Sequence, residues 1–122
     1  MLRSGVDILE INRLVSMKRD HPEIYQRFIC RVFTENEIKE ARDRISYFAG
    51  RFAAKEAASK ALHCGIGILG WHSIEILSGE QGEPILHFNG KAALLVEHDQ
   101  ISEWSVSISH TDTLAIAFVM ML

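Results

Sequence analysis

Residues 48–62 read Phe-Ala-Gly-Arg-Phe-Ala-Ala-Lys-Glu-Ala-Ala-Ser-Lys-Ala-Leu, and this run constrains the fold more than any other. Alanine is the strongest helix former and no proline interrupts it, so the spacing predicts a helix from about Ser46 to His63. That helix carries Arg51, Lys55, Glu56, Ser59 and Lys60 among small and aromatic residues. Three cations, a carboxylate and a hydroxyl on an otherwise apolar helix suit a phosphorylated ligand and a hard metal ion. Gly65, Gly67 and Gly70 follow and stop the helix near the same place. A turn at Gly65 would let backbone N–H groups approach a ligand closely.

The surrounding pattern predicts α+β architecture. Residues 2–9 read as a buried strand, and Ile11, Leu14 and Val15 mark a helix over 11–19. Pro22 opens a second helix to about Cys30, and Thr34 with Glu37 forms a capping box for a third, to about Arg44. Strands are expected at Trp71–Leu77 and Ile85–Phe88, followed by a short helix to about His98 capped by Asn89. A closing hairpin is expected from about 103–109 and 113–121. The expectation is a single domain over 1–122, with N-terminal helices packed on a mostly antiparallel sheet.

Charge divides the chain. Residues 1–60 hold 12 of the 13 lysines and arginines against 9 acids, a net +3, and residues 61–122 hold one against 7, a net −6. The basic half points to an anionic partner or to a solvated helical surface. The excess is too small, and a recognition motif too absent, for nucleic acid. No run reaches the roughly 20 apolar residues of a membrane span, and Arg3, Asp7 and Glu10 break any leader-like start. Cys30 and Cys64 lack metal spacing and read as reduced thiols of a cytoplasmic protein.

Three places carry chemistry. Asp7 interrupts an apolar strand: if buried, its carboxylate needs a partner, a Mg2+ ion or a neighbouring arginine, and otherwise it is an exposed residue of an edge strand. Glu56 either pairs with Lys60 four residues on or joins Asp7 on a metal, with Lys60 beside phosphates. Arg51 and Lys55, also four apart, repel unless an acid or an anion lies between them. His110 ends an alternating strand, and nothing in its spacing distinguishes it from the five other histidines. No role follows for His72, His87 or Cys64.

Taken in order, Gly5-Val-Asp-Ile, Lys55-Glu-Ala with its flanks, and Ser107-Ile-Ser-His-Thr111 resemble the holo-acyl-carrier-protein synthases, small bacterial 4′-phosphopantetheinyl transferases. The resemblance runs from about Gly5 to Val119. It implies transfer of the 4′-phosphopantetheine arm of coenzyme A to a serine of apo-acyl carrier protein, a step serving fatty acid biosynthesis. It implies Asp7 and Glu56 as Mg2+ ligands, and Glu56 and Lys60 as catalytic groups. Coenzyme A contacts would come from Arg51, Lys55, Ser59, Lys60, Gly65, Ser109, His110 and Thr111, with His110 supplied by a neighbouring subunit of a homotrimer. It places Arg13, with Lys18 and Arg19 nearby, at the carrier dock. A coenzyme A- or nucleotide-binding module without activity, a trimeric interaction protein that kept the fold, or a Mg2+-dependent phosphohydrolase are the alternatives, and the group that takes the serine proton stays open.

Overall fold

The computed structural model describes all 122 residues. The chain opens with strand β1 (Arg3–Glu10), then helices α1 (Ile11–Asp20), α2 (Pro22–Val32), α3 (Glu35–Ala41) and the long α4 (Ile45–Ala61). A one-turn helix α5 (Ile66–Leu69) and a 3-10 turn (Trp71–Ser73) lead to β2 (Ile74–Ser78) and β3 (Pro84–Phe88). Helix α6 (Gly90–His98) precedes the closing pair β4 (Trp104–His110) and β5 (Leu114–Met121).

The strands form two sheets. One is three-stranded in the order β1-β5-β4, the other is the β2-β3 hairpin, and every pairing is antiparallel. The α+β expectation is met, including the strand that precedes the first helices, which lies at the edge of the larger sheet. Trp71–Ser73, expected as strand, is corrected to a 3-10 turn.

Helix α4 is the axis of the fold. Twelve of its 17 residues are buried, so it shows no single apolar stripe and is enclosed on most sides. Its alanines join Ile74, Ile76, Val119 and Met121 in one apolar cluster, while Phe48 joins Leu14, Tyr25, Ile29 and Phe33 in another. Gly5 explains how close β1 comes: a Cβ there would lie 2.0 Å from the carbonyl oxygen of Ala57. Only glycine fits, and its strand carries Asp7 two residues later, on the same pleat face, against α4.

The caps show where local chemistry holds and where it yields. Thr34 Oγ1 accepts from Glu37 N–H at 3.2 Å while Glu37 Oε1 accepts from Thr34 N–H at 2.9 Å, the expected capping box. Helix α3 stops earlier than expected, because Arg42 and Asp43 turn left-handed at φ 50° and 58°. Asn89 stands at the start of α6 but does not cap it; its amide donates instead to the carbonyl of His72 at 3.1 Å.

Candidate active site

Asp7, Glu56 and Lys60 meet where β1 lies on α4. Lys60 Nζ donates to the Val6 carbonyl at 2.8 Å and to Asp7 Oδ1 at 3.1 Å. Of the two arrangements the spacing leaves open, the Glu56–Lys60 helix pair does not form, because Lys60 reaches across to the strand. Glu56 is left beside Asp7 without a cation of its own. Its proton affinity is raised, first by burial and then by the Asp7 carboxylate, with Lys60 opposing.

A cleft of about 530 Å³ opens from this point. Glu56, Ser59 and Lys60 form one wall, His63 and Cys64 the corner, and the backbone of Gly65 to Gly67 the other wall. Gly65 has φ −63°, and a Cβ at Gly65 or Gly67 would touch nothing within 4 Å. The fold therefore does not require glycine at either place; what glycine gives here is bare backbone facing the cleft. Ser59 Oγ is turned away from this task and donates to the Glu56 carbonyl at 2.8 Å. A second groove, between Leu2, Trp104, Met120 and Leu122, is apolar and holds no cation.

Within this chain Lys55 and Arg51, expected at phosphate, are engaged by protein groups. Both lie on the α4 face toward the β2-β3 hairpin, away from the cleft. Lys55 is fully buried, and its three N–H donors are spent on Glu37 Oε1 at 2.8 Å and the carbonyls of Trp71 and Ile74 at 3.0 and 2.7 Å. Burial pulls its ammonium down and Glu37 works against that. Arg51 bonds Ser78 Oγ at 3.0 Å and, more loosely, Glu40 Oε2 and the Ile76 carbonyl, with its guanidinium 4.2 Å from the Tyr47 ring centre. The i, i+4 repulsion between the two cations is relieved by acids of α3.

Ser109, His110 and Thr111 do not join the cleft. Asp7 pairs with Ala117, whereas His110 pairs with Ala115 two strands away at the edge of the sheet. Within this chain Thr111 holds the β4-β5 turn, its Oγ1 accepting from the Thr113 and Leu114 N–H groups at 3.2 and 3.1 Å. His110 is exposed, with its nearest polar partner the Thr111 carbonyl at 3.3 Å. Of the basic trio, Lys18 is tied to Asp43 at 3.2 Å and Arg19 to Asp20 at 2.9 Å, while Arg13 forms no ion pair. Arg13 borders a small apolar hollow with Leu14, Met17, Phe28 and Phe52.

The donor set fits Mg2+. Two carboxylates on neighbouring elements repel each other, and a cation between them relieves that repulsion. No group of three or more histidine, cysteine or acidic side chains comes together anywhere, which leaves no protein cage of the kind zinc takes. One or two carboxylates, completed by water and phosphate oxygens, is the usual Mg2+ arrangement.

The sequence profile of the 4′-phosphopantetheinyl transferase superfamily matches residues 3–119. Holo-[acyl-carrier-protein] synthase of Halalkalibacterium halodurans is 41% identical, covering 99% of this chain and 95% of its own. The Herpetosiphon aurantiacus protein of the same name is also 41% identical, with coverage of 98% and 97%. Among solved structures, the Helicobacter pylori holo-[acyl-carrier-protein] synthase in complex with coenzyme A superposes with a TM-score of 0.86 at 32% identity, over 98% of this chain and 99% of that one.

Proposed function

The chain belongs to the 4′-phosphopantetheinyl transferase superfamily, and we propose that it moves the 4′-phosphopantetheine arm of coenzyme A onto a serine of an apo-acyl carrier protein in a Mg2+-dependent reaction. The observation that carries this reading is the convergence of Asp7, Glu56 and Lys60 beside a cleft walled on one side by bare glycine backbone. Coenzyme A lies in the cleft with its pyrophosphate toward Asp7 and Glu56. The serine oxygen bonds to the phosphorus that bears pantetheine, the bond from that phosphorus to the bridging oxygen breaks, and adenosine 3′,5′-bisphosphate leaves.

Asp7 and Glu56 would hold Mg2+, which when bound offsets the pyrophosphate charge and stabilises the leaving group. Lys60 is half exposed, and two of its three donors go to Val6 and Asp7. The third is free to bond a phosphate oxygen of the departing nucleotide. Glu56, which lines the cleft, is one acceptor for the serine proton. Solvent at the open mouth is the other. Ser59 and Gly65 line the ligand, and Arg13 with the apolar hollow beside it meets the acidic carrier.

Ser109, His110 and Thr111 act on the coenzyme of a neighbouring copy. The outer face of the larger sheet supports this: Val6, Ile8, Ile116, Phe118 and Met120 are all exposed there, in one patch running across β1 and β5. A patch of this kind on a soluble chain marks an association surface, and three copies closing on it form a homotrimer. The setting is the cytoplasm, and the product serves fatty acid biosynthesis.

The test is to incubate the protein with coenzyme A, Mg2+ and an apo-acyl carrier protein and to weigh the carrier by mass spectrometry. Gain of one phosphopantetheine arm, lost in excess chelator, is expected. Free coenzyme fragments beside an unlabelled carrier would identify a phosphohydrolase, and an unchanged mixture a binding module; either overturns the reading.

A further inference from the structure

Helix α4 ends in a Schellman motif. Cys64 N–H donates to the Ser59 carbonyl and His63 N–H to the Lys60 carbonyl, both at 3.1 Å. The residue between the helix and Cys64 must take left-handed backbone, which glycine does freely and a side chain does at a cost. This chain puts His63 there, at φ 58°. The glycines nearby stand at positions 65 and 67, where the backbone needs none. Three other residues besides glycine have positive φ, namely Arg42, Asp43 and Gln100, and none of them lines the cleft.

The fold takes little in return from this imidazole. It is exposed, lies outside both apolar clusters and makes no hydrogen bond within the chain. Its surroundings are those of the cleft corner. Lys60 stands one residue short of a helical turn before it and Glu56 two turns before, Cys64 follows it, and the α5 wall opposite has no ionisable side chain. The ammonium of Lys60 and the imidazole of His63 thus flank one opening.

We propose that His63 is a ligand-binding side chain of this cleft, donating from its imidazolium to a phosphate oxygen of coenzyme A. The proposal rests on the coenzyme A reading above. It places a cation on the side of the cleft away from Asp7, where the carbonyl end of α4 would otherwise repel an anion. Histidine is the side chain that changes charge between pH 5 and 8, so the contact is strongest on the acid side of neutrality.

The experiment is calorimetric titration of coenzyme A, with Mg2+ present, into the wild-type protein, His63→Gly and His63→Asn, at about pH 6 and about pH 8. Glycine and asparagine both accept the left-handed backbone, so each removes the imidazole and keeps the turn. Expected is a loss of roughly five- to tenfold in affinity for both variants at the lower pH, shrinking toward none at the higher. The melting temperature of His63→Gly should stay level or rise. Glu56 titrates in all three proteins and cancels in the comparison. Affinities equal to wild type at both pH values would overturn the proposal. A melting temperature lowered near pH 6 with affinity unchanged would also overturn it, assigning the imidazole to the helix end. Wild-type protein that binds no coenzyme A would remove the underlying reading itself, which separates the two failures.

Discussion

Lys60 crosses from α4 to Asp7 on β1 and leaves Glu56, four residues away on its own helix, unpaired. A fold selected for stability alone would pair the two helix residues; this arrangement keeps two carboxylates side by side. Glu56→Gln tests the tension. The carboxyl is held above its usual range by burial and by Asp7, so its ionised form weakens the native state and its protonated form does not. The variant should therefore melt higher than wild type at neutral pH, with the gain vanishing as pH falls through the Glu56 titration. Transfer should drop by at least about 10²-fold. Thermal melts from acid to neutral pH, with activity alongside, check both, and a gain that grew toward acid pH would refute the assignment. The identity of Asp7, Glu56 and Lys60 as candidates was legible in the sequence, but their pairing was not. The i, i+4 rule sees neighbours on one helix and cannot see a strand brought within reach by Gly5. His63 was missed because its signal is negative: a helix whose stop glycines begin two residues late.

At the scale of elements, α4 separates two kinds of charge. Its β1 side faces the cleft with Glu56 and Lys60, and its hairpin side holds Lys55 and Arg51 against α3 and β2. The capping box of α3 was readable from Thr34 and Glu37, yet Glu37 has further roles that spacing does not reveal. The same carboxylate accepts from Ile76 N–H at 2.9 Å and pairs with Lys55 at 2.8 Å, with both side chains fully buried. The family motif could not distinguish a buried lysine from a ligand lysine, because burial is set by residues some twenty positions away along the chain in either direction. Removing one partner of such a pair strands a buried charge, at about 3–5 kcal/mol. Lys55→Met should destabilise the protein by that order. Adding Glu37→Gln, which keeps an oxygen for only one of the Ile76 and Thr34 N–H groups, should recover part of the loss. Denaturant unfolding of the two single variants and the double variant measures the coupling. Additive losses would mean the ion pair is incidental, and a stable Lys55→Met variant unable to bind coenzyme A would restore Lys55 to the ligand.

For the whole molecule the question is what covers the outer face of the β1-β5-β4 sheet. That face alternates as a buried strand should, but its far side has no layer above it: Ile8 is 58% exposed and Phe118 42%. The sequence reading of residues 2–9 as a buried strand holds for one face within this chain and awaits a neighbour for the other. His110 has the same shape of problem, lying across the sheet on the strand at the opposite edge from its own Asp7 yet carrying the family motif. A trimer closed on this face would answer both, since each cleft could then take its His110 from the adjacent copy. Complementation tests the shared site directly. Asp7→Ala and His110→Ala chains, each inactive alone, are mixed under conditions of subunit exchange confirmed by mass spectrometry of intact assemblies. A cleft from the His110→Ala chain meeting the intact histidine of an Asp7→Ala neighbour is complete, and random pairing of equal amounts makes about a quarter of sites so. Activity should return toward roughly that fraction of wild type. No recovery despite exchange would confine each site to one chain, and a fully active His110→Ala protein would remove the histidine from the reaction.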